Sequence, residues 1–343
     1  MSASSRFQFA DLAVPVIAAP MAGGPSTPEL AVAATNAGGL GFVPGGYLSP
    51  DVFAERLASA QEVASGPMGA NLFVPQPNTA NQADVDRYAE ALADEAQQYG
   101  AEVGEPRYSD DAWAAKLEIV LDLRPEVASF TFDCPSAADI GRLKDAGIVT
   151  VATVTTSAEA QLAVSRGVDA LAVQGPSAGG HRGTYDPTAQ PATQPLSELL
   201  AEVIACVAVP VAAAGGLMTA DDVDGVLRAG AVAAQLGTAF LLADEAGSGP
   251  VQRAALQDPQ FTETAVTRAF SGRYARGLRN RFIDKHEAQA PFGYPQIHYL
   301  TSPLRKASAR AGDPHGTNVW AGTGFKKAKS ATVAAIMAEL SCR

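Results

Sequence analysis

The segment VTVATVTTSAEAQLAVSRGVDALAVQG, Val149 to Gly175, decides the fold. It opens on a run of Val, Ala and Thr, continues through a stretch of helical pattern closed by Gly167, and ends on a second apolar run, ALAVQG from Ala170. Apolar character that hardly alternates marks strands buried on both faces, as in a parallel sheet. Glycine just before the next run suits the left-handed conformation that ends helices. The same unit recurs in both directions along the chain. VPVIAAPMA from Val14, LGFVPGG from Leu40, PMGANLFV from Pro67 and VASFTF from Val127 precede the segment, and VPVAAAGG from Val209 and AVAAQLGTAFLL from Ala231 follow it. That makes eight strand candidates.

The intervening segments carry helix punctuation. Thr27-Pro28-Glu29 and Ser49-Pro50-Asp51 place a hydroxyl ahead of a proline at the first helical position. Ser136 with Asp139 and Thr219 with Asp222 have the spacing of capping boxes, and Gly38, Gly147, Gly167 and Gly230 close four helices. Eight strand–helix units favour an α/β chain folded as a (β/α)8 TIM barrel over a doubly wound sheet, which usually stops near six strands. Two regions break the rhythm. Each follows the C-terminal end of a strand, where a barrel's active site lies, and each is read as part of a smaller helical lid subdomain. The expected division is 1–75, 108–243 and 305–343 in the barrel, with 76–107 and 244–304 in the lid. The last segment, SATVAAIMAELSCR, reads as a terminal helix docking on the barrel.

A chain of 343 residues, 47% hydrophobic and 18% charged, can bury a large core. Thirty-six acidic against twenty-five basic residues give a net charge of -11, which argues against nucleic acid or an anionic membrane as the main partner. No spanning helix or signal peptide is expected. Cys134, Cys206 and Cys342 are odd in number and far apart, which suits a cytoplasmic location and offers no metal-ligand spacing.

Barrels commonly bind phosphate at the ends of strands seven and eight, where backbone N–H groups face the anion. Here Gly215-Gly216 and Gln235-Leu236-Gly237-Thr238 stand at those places, so a phosphorylated ligand is expected. Asn71 and Gln174 are polar amides in apolar strands. Each is either a loop-closing structural group or a hydrogen-bonder to the edge of a flat ligand; the ligand reading is favoured. His181 directly follows the sixth run, beside Gly179 and Gly180, and is the candidate catalytic histidine. No metal site is expected near it. The arginine-rich segment Thr267 to Phe282 is read as solvated or internally paired, and Cys134 as a plain buried cysteine.

PVIAAPMAGGPSTPELAVAATNAGGLGFVPGG from Pro15, VQGPSAGGHRG from Val173, AAGGL from Ala213 and QLGTAF from Gln235 together resemble the nitronate monooxygenases, formerly called 2-nitropropane dioxygenases. VASFTFDCP and SGRYARGLRNRF also fit the bacterial class I branch. The resemblance implies an FMN-binding barrel with a helical domain over the flavin. FMN contacts would fall at Asn71, Gln174, Gly179, Gly216 and Gln235, Leu236, Gly237 and Thr238, with Met21 lining the ring and His181 facing substrate. It implies oxidation of alkyl nitronates such as propionate 3-nitronate by O2 to a carbonyl compound and nitrite, through a flavosemiquinone. The implied partners are a small-molecule nitronate and O2, with a homodimer allowed. Tyr294, His298 and Lys306 are further pocket candidates. The family pattern has Glu where this chain has Ser177, a change expected to bear on the proton affinity of His181 or its surroundings. The competing readings are an FMN-dependent NAD(P)H reductase of the same superfamily, acting on quinones or enoyl thioesters, and a flavin-free phosphate-binding barrel.

Overall fold

The computed structural model describes residues 6–341, so Cys342 and the outer ends of the expected barrel bounds lie outside the described residues. All eight apolar runs form strands. They are β1 (Val16–Ala18), β2 (Gly41–Pro44), β3 (Met68–Phe73), β4 (Val127–Thr131), β5 (Val149–Val154), β6 (Ala170–Gln174), and then, after a two-residue β7 (Gly180–His181), β8 (Val211–Ala214) and β9 (Ala233–Leu236). All neighbours pair in parallel, in the order β1-β9-β8-β6-β5-β4-β3-β2. A bridge between Ile17 and Leu40 joins the two ends of that order, with Ala18 N–H donating to Leu40 O at 2.9 Å and Leu40 N–H to Val16 O at 3.1 Å. The sheet closes into a (β/α)8 barrel.

Alternation along the strands divides the core in two. Ile17, Phe42, Val127, Val149, Val151, Ala170, Ala172, Ala212 and Ala233 pack with Phe9 in one cluster, while their strand neighbours Val16, Val43, Ala128, Ala152, Leu171, Ala213 and Ala234 pack in another with the helices. The first set fills the barrel and the second seats the outer ring. Both sets are apolar, which is why the strands read as unbroken runs.

The punctuation forms helix caps where expected, although Ser136 and Asp139 close no reciprocal box, the Ser136 hydroxyl donating to Asp139 Oδ2 instead. Thr27, Ser49, Ser136 and Thr219 each accept a hydrogen bond from the backbone three residues on, and Thr219 with Asp222 forms a complete capping box. Gly38, Gly147, Gly167 and Gly230 all have positive φ, between 84° and 100°. The terminal helix, Val333–Leu340, packs on the helices Pro28–Asn36 and Ala220–Arg228.

The cap is built from both inserted regions. Helices Gln82–Ala91 and Ala93–Tyr99 come from the first and helix Arg281–His286 from the second, whereas helix Pro250–Gln257, also of the second, packs apart from them in a cluster with Leu241, Leu242, Val319 and Phe325. Helix Gln296–Arg310 packs on both helices of the first and runs through the expected division at 304/305. Val85, Tyr88, Leu92, Phe270, Phe282, Ile297, Leu300 and Leu304 give the cap its own core. Helices are not its whole content. The second region adds β10 (Thr264–Thr267) and β11 (Ala275–Leu278), which form an antiparallel sheet with β7 in the order β10-β11-β7. No described helix is long and apolar enough to cross a membrane.

Glycine is required where β2 meets its helix. A Cβ on Gly41 would lie 1.9 Å from the Ala31 carbonyl oxygen, a backbone atom that cannot swing away. Gly41→Ala is therefore expected to cost at least ~2 kcal/mol of stability. Gly141, inside the helix Ala137–Asp145, has nothing within 4 Å of that position. Gly141→Ala should gain roughly 0.5–1 kcal/mol. Urea unfolding of the two variants checks both signs.

Candidate active site

His181 sits where a barrel loop becomes a strand of the cap. Gly180 and His181 pair with Arg276 and Ala275 of β11, and Arg182 N–H donates to Tyr274 O at 2.8 Å. Gly180 takes φ 74°, which lets the chain turn out of the barrel without a side chain in the way. Gln174, at the end of β6, holds the loop from inside. Its Nε2 donates to His181 O at 3.1 Å and its Oε1 accepts from Gly183 N–H at 2.9 Å. Of the two readings open for Gln174, these bonds are those of a loop-closing amide; one Nε2 proton is left for a ligand.

The imidazole is held from one side only. Its Nε2 lies 2.8 Å from Ser271 Oγ, and the Ser271 hydroxyl lies 3.2 Å from the Arg273 carbonyl, which has no other donor among the described residues. Ser271 is buried and has one proton to give. Giving it to Arg273 O makes Ser271 Oγ the acceptor for Nε2–H, so His181 Nδ1 carries the lone pair and finds no protein partner among the described residues. Phe132, Tyr294 and Trp320 surround the ring at centroid distances of 5.9, 5.4 and 5.6 Å. Burial, then the positive charges of Arg273 and Arg305, lower the pKa of His181 to about 3. At neutral pH the ring is uncharged.

Those two arginines are unusual. Arg273 is 0% exposed; its guanidinium donates to Arg182 O, Gln76 Oε1 and Thr184, lies 4.2 Å from the Phe132 ring centroid, and forms no ion pair among the described residues. Arg305 donates to Thr301 Oγ1, Asn318 Oδ1 and His298 O, again with no carboxylate. The expectation that segment 267–282 is solvated or paired holds for Arg268, Arg279 and Arg281, which meet Glu287, Glu263 with Asp284, and Glu95. It fails for Arg273, whose planar fork is matched by neutral acceptors instead. Nothing in the sequence separates Arg273 from its neighbours.

A second assembly lies at the ends of β8 and β9. The backbone N–H groups of Gly216, Gly237 and Thr238 find no acceptor among the described residues. Gly215 and Gly216 have φ 112° and 79°, a backbone conformation that glycine adopts without strain. Residues 322–324, which sequence reasoning missed, complete it. Gly322 N–H donates to Thr238 Oγ1 at 2.9 Å, and Thr323 Oγ1 lies 3.7 Å from where a Gly216 Cβ would stand. The signal was a hydroxyl between two glycines, Gly322-Thr323-Gly324, which echoes Gly237-Thr238. This cluster of free donors fits a phosphate group.

The other candidates distribute as follows. Asn71 is buried on β3, with Nδ2 given to Ser129 and Thr131 and Oδ1 unpartnered among the described residues. Met21 approaches Gly237, and Gln235 and Leu236 end β9. Gly179 is pressed against the backbone of Ala321 and Gly322, so the space its missing side chain leaves is filled by protein. Tyr294 packs on His181 and donates to Tyr47 Oη, and His298 stacks on Tyr47 at 4.4 Å; Lys306 is exposed and does not join them. Ser177 lies against Gly216, at the phosphate-like site. Cys134 is buried in the core, its thiol pushed up to about 12 by burial.

Nitrogen-15 NMR should find His181 neutral and protonated at Nε2 at pH 7, and Ser271→Ala should abolish that tautomer preference. Stability follows the same logic. A histidine held near 3 in the fold and near 6.5 when unfolded binds more protons unfolded, so stability is full above pH 6.5 and falls as the pH drops toward 3. His298, lowered to about 2 chiefly by burial, acts in the same direction. The melting temperature should fall between pH 7 and 5, less steeply in His181→Asn.

Comparison with known proteins agrees with this architecture. The nitronate monooxygenase family profile matches residues 6–342. A probable nitronate monooxygenase of Bacillus subtilis (strain 168) is 32% identical over 320 residues, 92% of this chain and 91% of that protein. One from Staphylococcus aureus (strain MRSA252) is 32% identical over 338 residues, 97% and 95% of the two chains. The structure of nitroalkane oxidase from Streptomyces ansochromogenes superposes with a TM-score of 0.92 at 43% identity, covering 96% of this chain and 95% of that one. FabK from Thermotoga maritima shares the fold, with a TM-score of 0.74 at 22% identity over 97% and 93% of the two chains. With its barrel, its loop histidine and these relatives matching along their whole lengths, the chain belongs to the nitronate monooxygenase family, a family of oxidoreductases.

Proposed function

We propose that the protein binds FMN and oxidises alkyl nitronates, and the nitroalkanes that give rise to them, with O2, yielding a carbonyl compound and nitrite. The observation that carries this reading is a pair of features connected by one loop: at Ser177 the loop meets Gly216 and the free backbone donors suited to a phosphate, and at His181 it presents a neutral imidazole with an open Nδ1. The N–H groups of Gly216, Gly237 and Thr238, with the Thr323 and Ser177 hydroxyls, would hold the phosphate. Asn71 Oδ1 is left as an acceptor for a ring N–H, and Met21 borders the same region. When bound, FMN supplies the electron acceptor and the route to oxygen.

The protein's own part is electrostatic and positional. His181 Nδ1 can accept the proton leaving the carbon of a neutral nitroalkane, because Ser271 occupies the other nitrogen. Arg273 and Arg305 set a positive potential around that carbon, which favours the nitronate anion over its neutral acid. The rings of Phe132, Tyr294 and Trp320 exclude water from the imidazole. No step calls for a nicotinamide. We further propose residues 76–107 and 244–304 as the substrate-facing cap, and the cytoplasm as the location.

Purified protein should be yellow, or take up added FMN, and should consume O2 with propionate 3-nitronate or nitroethane without NADH. A colourless protein that takes up no FMN, or a yellow one bleached by NADH and silent toward nitro compounds, would overturn the reading. His181→Asn should keep its FMN while kcat on nitroethane falls on the order of 100-fold.

A further inference from the structure

A second cavity, of about 420 Å³, opens on the barrel away from His181. That volume is within the usual range of small-molecule sites. Four pieces of chain meet around it: the start of helix Ala220–Arg228, the short helical turn Thr238–Phe240 after β9, the segment 326–329, and the terminal helix Val333–Leu340. Alanine at 220, 239 and 328, where each could have carried a larger side chain, leaves the space between them open. The lining includes none of the residues that surround the imidazole and none of the free N–H groups at the phosphate-like end, so the reaction above makes no use of it.

The floor of the cavity is the barrel core seen from outside. Met218, Ala239, Ile336 and Leu340 line it and also belong to the main apolar cluster. The rim is basic. Lys326, Lys327 and Lys329 are three of the chain's seven lysines, gathered within four positions of a protein whose net charge is -11. Glu339 is the carboxylate of the lining, and Lys329 holds it at 2.6 Å. Lys326 and Lys327 pair with no carboxylate among the described residues. Thr219 and Ala220 bring the positive end of a helix to the same wall, while Asp222 in its first turn is occupied by the N–H groups of Met218 and Thr219 at 2.9 and 3.0 Å.

This pairing of floor and rim defines what the cavity accepts. Two ammonium groups without carboxylate partners attract an anion, and the acidic remainder of the chain offers it few rival positions. A nucleotide would also bring a base edge and ribose hydroxyls, for which the lining holds, beyond its charged groups, only the Thr219 hydroxyl that already caps a helix. A hydrocarbon tail needs no polar partner. Each methylene it removes from water against the floor is worth about fourfold in binding.

We propose that this cavity binds an amphipathic carboxylate, its tail on Met218, Ile336 and Leu340 and its charge at Lys326 and Lys327. The site is independent of the function proposed above, and calorimetric titration of the full-length protein tests it without flavin or turnover. Octanoate, kept below its micelle range, should bind at least about tenfold more tightly than acetate, which has the charge without the tail, and than 1-octanol, which has the tail without the charge. The double variant Lys326→Glu/Lys327→Glu should weaken octanoate about tenfold, and so should Ala220→Phe, which fills the cavity from the half-buried start of a helix. Both lysines are exposed, so their replacement spares the core, and unchanged melting temperatures identify the folded variants. His181→Asn should leave octanoate binding as it is, which separates this cavity from the candidate active site. Acetate or 1-octanol binding as tightly as octanoate, octanoate binding unmoved by either cavity variant, or its loss in His181→Asn overturns the site. ADP binding more tightly than octanoate, and lost in the lysine variant, overturns the amphipathic carboxylate in favour of a nucleotide.

Discussion

The pairing of His181 with Ala275 is the constraint on which the rest of the molecule depends. It takes two residues from a barrel loop and makes them the edge strand of the cap sheet. A histidine on an ordinary loop at the C-terminal end of a barrel would sample many positions. Here both neighbours of the imidazole are bonded. Gln174 holds the His181 carbonyl from the barrel, Tyr274 takes Arg182 N–H from the cap, and the Arg276 guanidinium donates to Pro176 O at 3.0 Å. The cap is thus fastened to the barrel at the reactive residue, and displacement of either layer would move the imidazole.

Arg273 extends the same fastening and adds charge to it. Its fork ties Arg182 and Thr184 of the loop to Gln76 at the end of the third strand's connection, so one side chain spans barrel, loop and cap. Lysine at that position would lose its proton to burial, or lose two of the bonds; arginine keeps its charge in the interior. The consequence is a histidine kept neutral by burial first and by the neighbouring cations second, while the field of those cations favours an anion beside it. Removing a proton from carbon beside them sets two effects against each other: the negative charge develops within the guanidinium field, while the proton gained at Nδ1 is disfavoured by burial and by the same cations.

The barrel was legible from sequence for a physical reason. Each strand is apolar toward both the lumen and the helices, so eight runs such as VTVATV stand out against their surroundings, and Gly38, Gly147, Gly167 and Gly230 mark the turns between. The cap sheet was not legible. β7 is two residues, Gly-His, and β11 reads ARGL, so neither has a length or an alternation that differs from loop. At the site, His181 and the glycines of the phosphate-like cluster could be found because position in a barrel gives such residues meaning. Ser271, Arg273 and Thr323 act through contacts to residues 90 or more positions away, and sequence spacing carries no trace of them. Gln174 shows the remaining ambiguity: the amide was seen in the sequence, but its bonds to His181 O and Gly183 N–H, which leave one Nε2 proton over, could be found only in the fold.

Two chain segments span the site side by side, which bears on how the candidate cofactor and substrate positions are related. Residues 174–183 run from Ser177, beside Gly216, to His181; residues 320–324 run from Thr323, also beside Gly216, to Trp320, which packs on His181 at 5.6 Å. They are bonded to each other at the phosphate-like end, where Thr323 N–H donates to Ser177 O at 3.1 Å, and Gly179 is pressed against Ala321 and Gly322 along the way. At the other end Trp320 bridges to Gly277 of β11, the strand that also holds His181. The distance from the free N–H groups to the imidazole is therefore set by two short segments braced against each other, rather than by either loop alone. Glycine at 179 and 322 is what allows that bracing, since a Cβ at either position would come within 2.4 to 2.6 Å of the opposing backbone. Gly179, two residues before the histidine, thus serves first to pack protein on protein, and the accuracy of the site follows from that contact.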